Sequence, residues 1–201
     1  MAEYSIIGTG KFAVELFYIL SGDGHRVLGF WGEDSGIGMP GTLNPIEIGD
    51  KTQRLEKCLI AIGDPQKKKK VARDILSVEA NSARYCHASS WIAENVEFGI
   101  GTIIYPHCTV HSNVSFGRHV FINSNVSIGH DTKLKDFVSI SPGARIAGCV
   151  EIGTCCYLGQ GSVINENLVI ADDVIIGSGC VVVEDIKSSG TYVGVPARKI
   201  R

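Results

Sequence analysis

His130 and Asp131 are the residues hardest to account for as structure. They stand between Ile128 and Thr132, which both belong to apolar series described below, so the pair is expected to face out at a corner. An imidazole beside a carboxylate is a general-base arrangement: the acid fixes the tautomer and stabilises the imidazolium that forms. Gly148 follows His130 by 18 residues. If the chain coils every 18 residues, Gly148 lies directly above the imidazole. It would leave room beside the ring and present a backbone N–H to a developing oxyanion. Asn123, seven residues before His130, could reach the same groove. The competing explanation is a surface His-Asp pair in a chain that holds six histidines.

A second constellation lies near the N-terminus, where Gly8-Thr9-Gly10-Lys11-Phe12-Ala13 fits GxGxxA between a short apolar run and an amphipathic stretch. Such a loop aims backbone N–H groups and a helix N-terminus at an anion, usually a phosphate. The segment is too short for a full dinucleotide site, so a nucleotide or nucleotide-sugar diphosphate is the expected ligand. The run Lys67 to Lys70 reads as the solvated face of a helix. Some β-helix carbonic anhydrases hold zinc with three histidines, two of them five residues apart. His107, His111, His119 and His130 contain no such pair, so no metal site is expected.

The element that must position His130 is a repeat. An apolar residue returns at every sixth position: Ile92, Phe98, Ile104, Val110, Phe116, Ile122, Ile128, Leu134, Ile140, Ile146, Ile152, Leu158, Ile164, Ile170, Ile176 and Val182. A series of mostly small residues precedes it by two, including Val126, Thr132, Ala144, Cys156 and Ser162, and Gly often follows the large residue. A period of six fits neither a helix nor a continuous strand, so a supersecondary unit carries it. Each hexad makes one side of a triangular prism, three make a coil, and Gly is expected to permit the turn. Hexad solenoids wind left-handed, against the usual crossover rule.

Residues 1–86 alternate strand and helix: strands at 4–7, 25–31, 58–62 and near 83–86, helices at 12–20 and from Pro65 to about Leu76. The fold class is thus an α/β half-Rossmann domain (1–86) followed by a left-handed parallel β-helix (87–185), with residues 186–201 as a capping tail. Uncovered strand edges at the end of the solenoid need such a cap.

Composition narrows the function. A net charge of −2 and a pI near 6.3 give no reason to expect nucleic acid or an anionic membrane as partner. No signal peptide and no 18-residue apolar stretch is visible. Seven cysteines lack framework spacing, and Cys108, Cys149, Cys156 and Cys180 fall within the repeats as small hydrophobes, so a reduced, cytoplasmic protein is expected.

Taken in order, the GxGxxA start, Gly29-Phe-Trp-Gly-Glu-Asp34, Ala61-Ile-Gly-Asp64, uninterrupted hexads, Ile128-Gly-His-Asp131 and the final Gly194-Val-Pro-Ala-Arg198 resemble one family over nearly the whole chain. It is that of the bacterial sugar O-/N-acyltransferases, of the sialic acid O-acetyltransferase and nucleotide-4-amino-sugar N-acetyltransferase type, within the hexapeptide-repeat superfamily. The resemblance implies an acetyl-CoA-dependent, cytoplasmic homotrimer of glycan biosynthesis, with sites in grooves between neighbouring β-helices. His130 would be the general base and Asp131 its partner. Ser139, Gly148, Gln160, Ser178 and Arg198 would line the acetyl-CoA groove. Gly10, Lys11, Phe12, Glu33, Asp34 and Gly63 would meet the nucleotide sugar. Phe12 stands where several relatives have His, Gly32 replaces the first acid of a common Asp pair, and Ser139 is His in some N-acetyltransferases. The leading expectation is N-acetylation of a nucleotide-linked amino sugar of the 4-amino-4,6-dideoxy type. O-acetylation of a sugar such as sialic acid, and non-catalytic nucleotide-sugar binding, remain open.

Overall fold

The computed structural model describes residues 1–33, 36–38, 40, 45–46, 55, 57–74 and 80–201. They divide into two units, Met1–Tyr85 and Cys86–Arg201.

In the first unit the apolar run Tyr4, Ile6, Ile7 is buried in β1 (Glu3–Ile7), as a strand covered on both faces must be. Helix α1 (Lys11–Gly22) buries Ala13, Leu16 and Leu20, one turn apart on a single face. It ends at Asp23 and Gly24, whose φ of +78° is cheap only for glycine. Strands β2 (Arg26–Trp31), β3 (Pro45–Ile46) and β4 (Cys58–Ile60) complete a parallel sheet ordered β3-β2-β1-β4. The fourth strand is therefore Pro45–Ile46, and Tyr85–Cys86, although extended, is not a member of this sheet. Helix α2 (Pro65–Asp74) starts with Asp64 accepting from the Lys67 N–H at 2.8 Å. Its lysine run is not uniformly solvated: Lys67, Lys69 and Lys70 are exposed, but Lys68 is 1% exposed.

The second unit is the solenoid, a left-handed parallel β-helix. Two-residue strands stack in three parallel sheets at a constant register of 18, so that Ser127 pairs with Thr109 and Arg145, and Ile128 with Val110 and Ile146. Fourteen of the sixteen hexad aliphatics and aromatics are buried; Ile92 and Phe98, in the first coil, are partly buried against the same core. Each fully buried side chain is worth about 1.5–3 kcal/mol before chain entropy is subtracted. The small residues two positions earlier fill the same core.

The corners turn in a way the repeat alone did not reveal. Gly129, Gly153 and Gly159 do not take a left-handed backbone. They are glycine because the next coil passes too close: a Cβ on Gly159 would lie 2.5 Å from the Ser178 N, and one on Gly117 2.6 Å from the Asp136 N. The left-handed residue comes two positions later and stacks in columns 18 apart. One column holds Asn113, Asp131, Cys149 and Asn167, with φ between 57° and 61°. Asn and Asp tolerate that conformation best among residues with a side chain.

The tail adds to the solenoid. Gly190–Val193 pairs in parallel with Val174–Ile176, and Arg198–Lys199 folds back antiparallel on it. Tyr192 and Ala197 pack on the core, and Ile186 is buried.

Candidate active site

The 18-residue coil puts His130 and Asp131 at one corner, both open to solvent, with side chains 60% and 49% exposed. Asp131 adopts the left-handed conformation that turns the corner, which swings its carboxylate back onto the preceding imidazole. His130 Nδ1 and Asp131 Oδ2 are 2.6 Å apart. The neighbouring imidazole, and then the Asn113 amide, hold the Asp131 carboxyl below the usual carboxylate range. An ionised carboxylate can only accept, so it fixes the Nδ1–H tautomer and leaves Nε2 with a lone pair.

Two residues that motif reading missed support this pair. Asn113, one coil before Asp131, donates its side-chain N–H to Asp131 Oδ1 at 3.0 Å. Asn95, a further coil before, donates to Asn113 Oδ1 at 2.5 Å. The ladder Asn95–Asn113–Asp131–His130 thus runs along the corner and orients the carboxylate from behind. The signal was arithmetic: subtracting 18 and 36 from 131 finds both.

Gly148 lies one coil on, over the ring. A Cβ there would be 2.8 Å from His130 Nε2 and 2.9 Å from Cε1, so only glycine leaves that face of the imidazole open. Among the described residues, the Gly148 N–H donates to no protein group. Cys149, read from sequence as a small core hydrophobe, is instead exposed, and its N–H donates to the His130 carbonyl at 2.8 Å.

The remaining expected site residues do not join this corner within one chain. Asn123 sits on the preceding corner, half-buried, with its Oδ1 accepting from the Ser124 N–H at 2.7 Å. Gln160 and Ser178 are exposed and stacked one coil apart on that same preceding corner, since 160 and 178 differ from 124 by multiples of 18. Ser139 is 1% exposed, paired in register with Phe121 and Tyr157, and offers a ligand no accessible atom. Arg198 is exposed in the tail and paired with Glu184 at 3.1 Å.

In the first unit the loops after β1, β2 and β4 all leave the C-terminal ends of parallel strands. The sheet order reverses between β1 and β4, the position where open α/β sheets form a ligand crevice. Gly8 (φ +127°) brings its backbone against the Ala61 carbonyl, where a Cβ would be 2.9 Å from the oxygen. Thr9 Oγ1 donates to the Glu33 carbonyl at 2.6 Å and ties the first loop to the second. Gly10 caps α1 without a side-chain hydrogen bond, and Gly10 and Gly63 face open space. Lys11 and Glu33 are exposed and Phe12 is half-buried; Asp34 lies outside the described residues.

No family model matches the sequence. The chain is 31% identical over 120 residues to the GDP-perosamine N-acetyltransferase of Escherichia coli O157:H7, covering 60% of this chain and 54% of that protein. It is 44% identical over 50 residues to the UDP-3-O-acylglucosamine N-acyltransferase of Bordetella pertussis, covering 25% of this chain and 14% of that protein. The alignments thus span about half, or less, of these relatives' lengths. Among solved structures, PerB from Caulobacter crescentus in complex with CoA and GDP-perosamine superposes with a TM-score of 0.89 at 25% identity, over 99% of this chain and 97% of that one. WeeI from Acinetobacter baumannii shares the fold, with a TM-score of 0.84 at 24% identity over the full length of both chains. In its repeat and its fold the chain is similar to these bacterial sugar N-acyltransferases, whose hexapeptide-repeat architecture it shares.

Proposed function

We propose that the protein is an acetyl-CoA-dependent N-acetyltransferase acting on a nucleotide-linked 4-amino-4,6-dideoxy sugar, in the cytoplasmic stage of bacterial glycan synthesis. The observation that carries this reading is the His130–Asp131 pair beneath Gly148: a general base with a fixed tautomer and an unobstructed Nε2. The names of the relatives, one of them seen with CoA and GDP-perosamine, supply the substrate class.

In this mechanism the sugar amine attacks the thioester carbonyl while His130 Nε2 takes the proton from the nitrogen. Asp131 stabilises the imidazolium, and the Gly148 N–H receives the oxyanion of the tetrahedral intermediate. Collapse of the intermediate expels the CoA thiolate, which the imidazolium reprotonates. Gly10, Lys11 and Gly63 are assigned to the nucleotide diphosphate, with Glu33 and Asp34 to the sugar or ribose hydroxyls and Phe12 as an apolar wall. Gln160, Ser178 and Arg198 are assigned to CoA. Because Gln160 and Ser178 stand on a different corner from His130, the site is completed by a neighbouring copy, in a trimer of symmetric grooves.

The test is incubation with acetyl-CoA and GDP-, UDP- and dTDP-linked 4-amino sugars, with free sialic acid alongside, read by mass spectrometry. Gain of one acetyl group on an amino sugar, abolished in His130→Ala, is expected. Acetylation of sialic acid alone would overturn the N-transferase reading in favour of an O-transferase. Binding without any product would favour a nucleotide-sugar-binding protein.

A further inference from the structure

The corner column that carries Asp131 contains one residue out of character. Three of its left-handed positions are Asn113, Asp131 and Asn167, residues suited to positive φ; the fourth, at 57°, is Cys149. It is exposed, and it is the member that stands one coil beyond Asp131 and next to the glycine that uncovers His130. The ligand atoms of His130, Asp131 and Cys149 all lie within 4.8 Å of one another. Imidazole, carboxylate and thiolate form a zinc-type donor set. At ordinary bond lengths a tetrahedral Zn2+ needs its ligand atoms about 3.5 Å apart. Cys149 is exposed, so a change of its side-chain rotamer is the adjustment this spacing calls for. Asn113 already holds the other carboxylate oxygen, which is the outer-shell contact that orients a ligating carboxylate.

We propose that His130, Asp131 and Cys149 form a reversible inhibitory site for Zn2+ or a similar soft divalent ion. The ion is not a cofactor. The ion takes the place of the proton between His130 Nδ1 and Asp131 Oδ2; the ring then carries its proton on Nε2, so the lone pair that acetyl transfer requires is lost and Asp131 no longer supports the base. Only this inhibitory consequence rests on the proposed function; binding stands on the geometry alone.

Co2+ added to the full chain without acetyl-CoA is the probe. The expected result is a thiolate-to-cobalt charge-transfer band equivalent to one site per chain. Zn2+ displaces it, and it is absent from both Cys149→Ala and His130→Ala. No band in the unmodified protein, or a band that survives Cys149→Ala, overturns the site. In acetyl transfer, Zn2+ at about ten times its Kd lowers the rate about tenfold, and a chelator restores it. Cys149→Ala retains the uninhibited rate and loses most of the zinc effect; equal inhibition of both proteins overturns the proposal. A protein that shows the cobalt band but acetylates no acceptor separates failure of the proposed function from failure of the metal site.

Discussion

Gly148→Ala separates the chemistry of the corner from its stability. The backbone at 148 is not left-handed, so alanine is conformationally acceptable there. The added methyl would stand 2.8 Å from His130 Nε2, against an ordinary contact distance of 3.4 Å or more, so the ring must withdraw by at least 0.6 Å. His130 is an exposed side chain and can move, which keeps the folding cost within about 0.5 kcal/mol and the change in Tm within about 2 °C. Function does not escape so cheaply. The ring is tethered at Nδ1 to Asp131, so withdrawal either breaks that 2.6 Å contact or turns Nε2 away from the acceptor. Misplacement on the ångström scale costs about 100-fold in rate, or about 2.7 kcal/mol of barrier. The assay is initial-rate acetyl transfer by mass spectrometry, with kcat and KM resolved, beside thermal unfolding. A kcat within twofold of the unmodified protein would refute the assignment of Nε2 and Gly148 to the reacting centre.

Gly129→Ala gives the opposite pattern, because its methyl meets the backbone of the next coil at Ala147 and Gly148. Calorimetry should register a loss of about 1–3 kcal/mol. Asn113→Gly keeps the left-handed turn and removes the amide that holds Asp131; kcat is expected to fall about tenfold, consistent with one charge-assisted hydrogen bond, and no loss would show that the ladder is idle. Burial pushes the Cys58 thiol up to about 11 and Cys156 up to about 12. At pH 8 peptide mapping after alkylation should therefore find Cys149 modified and these two protected. Because both folded-state values lie above those of an unfolded thiol, the unfolded chain loses protons first as pH rises. Their contribution is whole below about pH 8.5, and is lost progressively as pH climbs through 11 to 12, which alkaline denaturation curves will show.

The repeat was legible because its period was uninterrupted: the register of 18 seen between the hexad strands up to Val182 follows from Ile128, Ile146 and Ile164 alone. The pairing of His130 with Asp131 was legible because outward polar residues contrast with that inward series. What stayed hidden was conformational. Glycine after an aliphatic looks like a turn residue, and only the backbone shows that close coil approach requires it while Asn113, Asp131 and Asn167 make the turns. Cys149 and Cys156 are alike in composition, but one sits on the turning column and the other on the inward one, so one is exposed and the other buried. In the first unit, Pro45–Ile46 lies in a Gly- and Pro-rich stretch that reads as loop, and it becomes a strand only by pairing with Phe30 and Trp31.

The arithmetic of 18 also predicts how many chains a site needs. Positions that differ by a multiple of 18 share a corner: Gly148 stands with His130, and Asn95 and Asn113 with Asp131. Gln160 differs from His130 by 30, which places it one hexad short of that column, on another edge of the prism. Should both be required, each site takes its base from one copy and its Gln160 from the next. His130→Ala and Gln160→Ala would then each be impaired alone yet complement each other when assembled together. With random, equal mixing, half the copies keep His130 and half of their neighbours keep Gln160, so about a quarter of the sites are intact. Coexpression from differently tagged genes, with tandem purification that discards the unmixed trimers, should recover activity approaching a third, since each mixed trimer keeps one intact site of three. Were both residues used from a single chain, no mixture could contain an intact site, and activity no better than the average of the two variants would refute the shared groove.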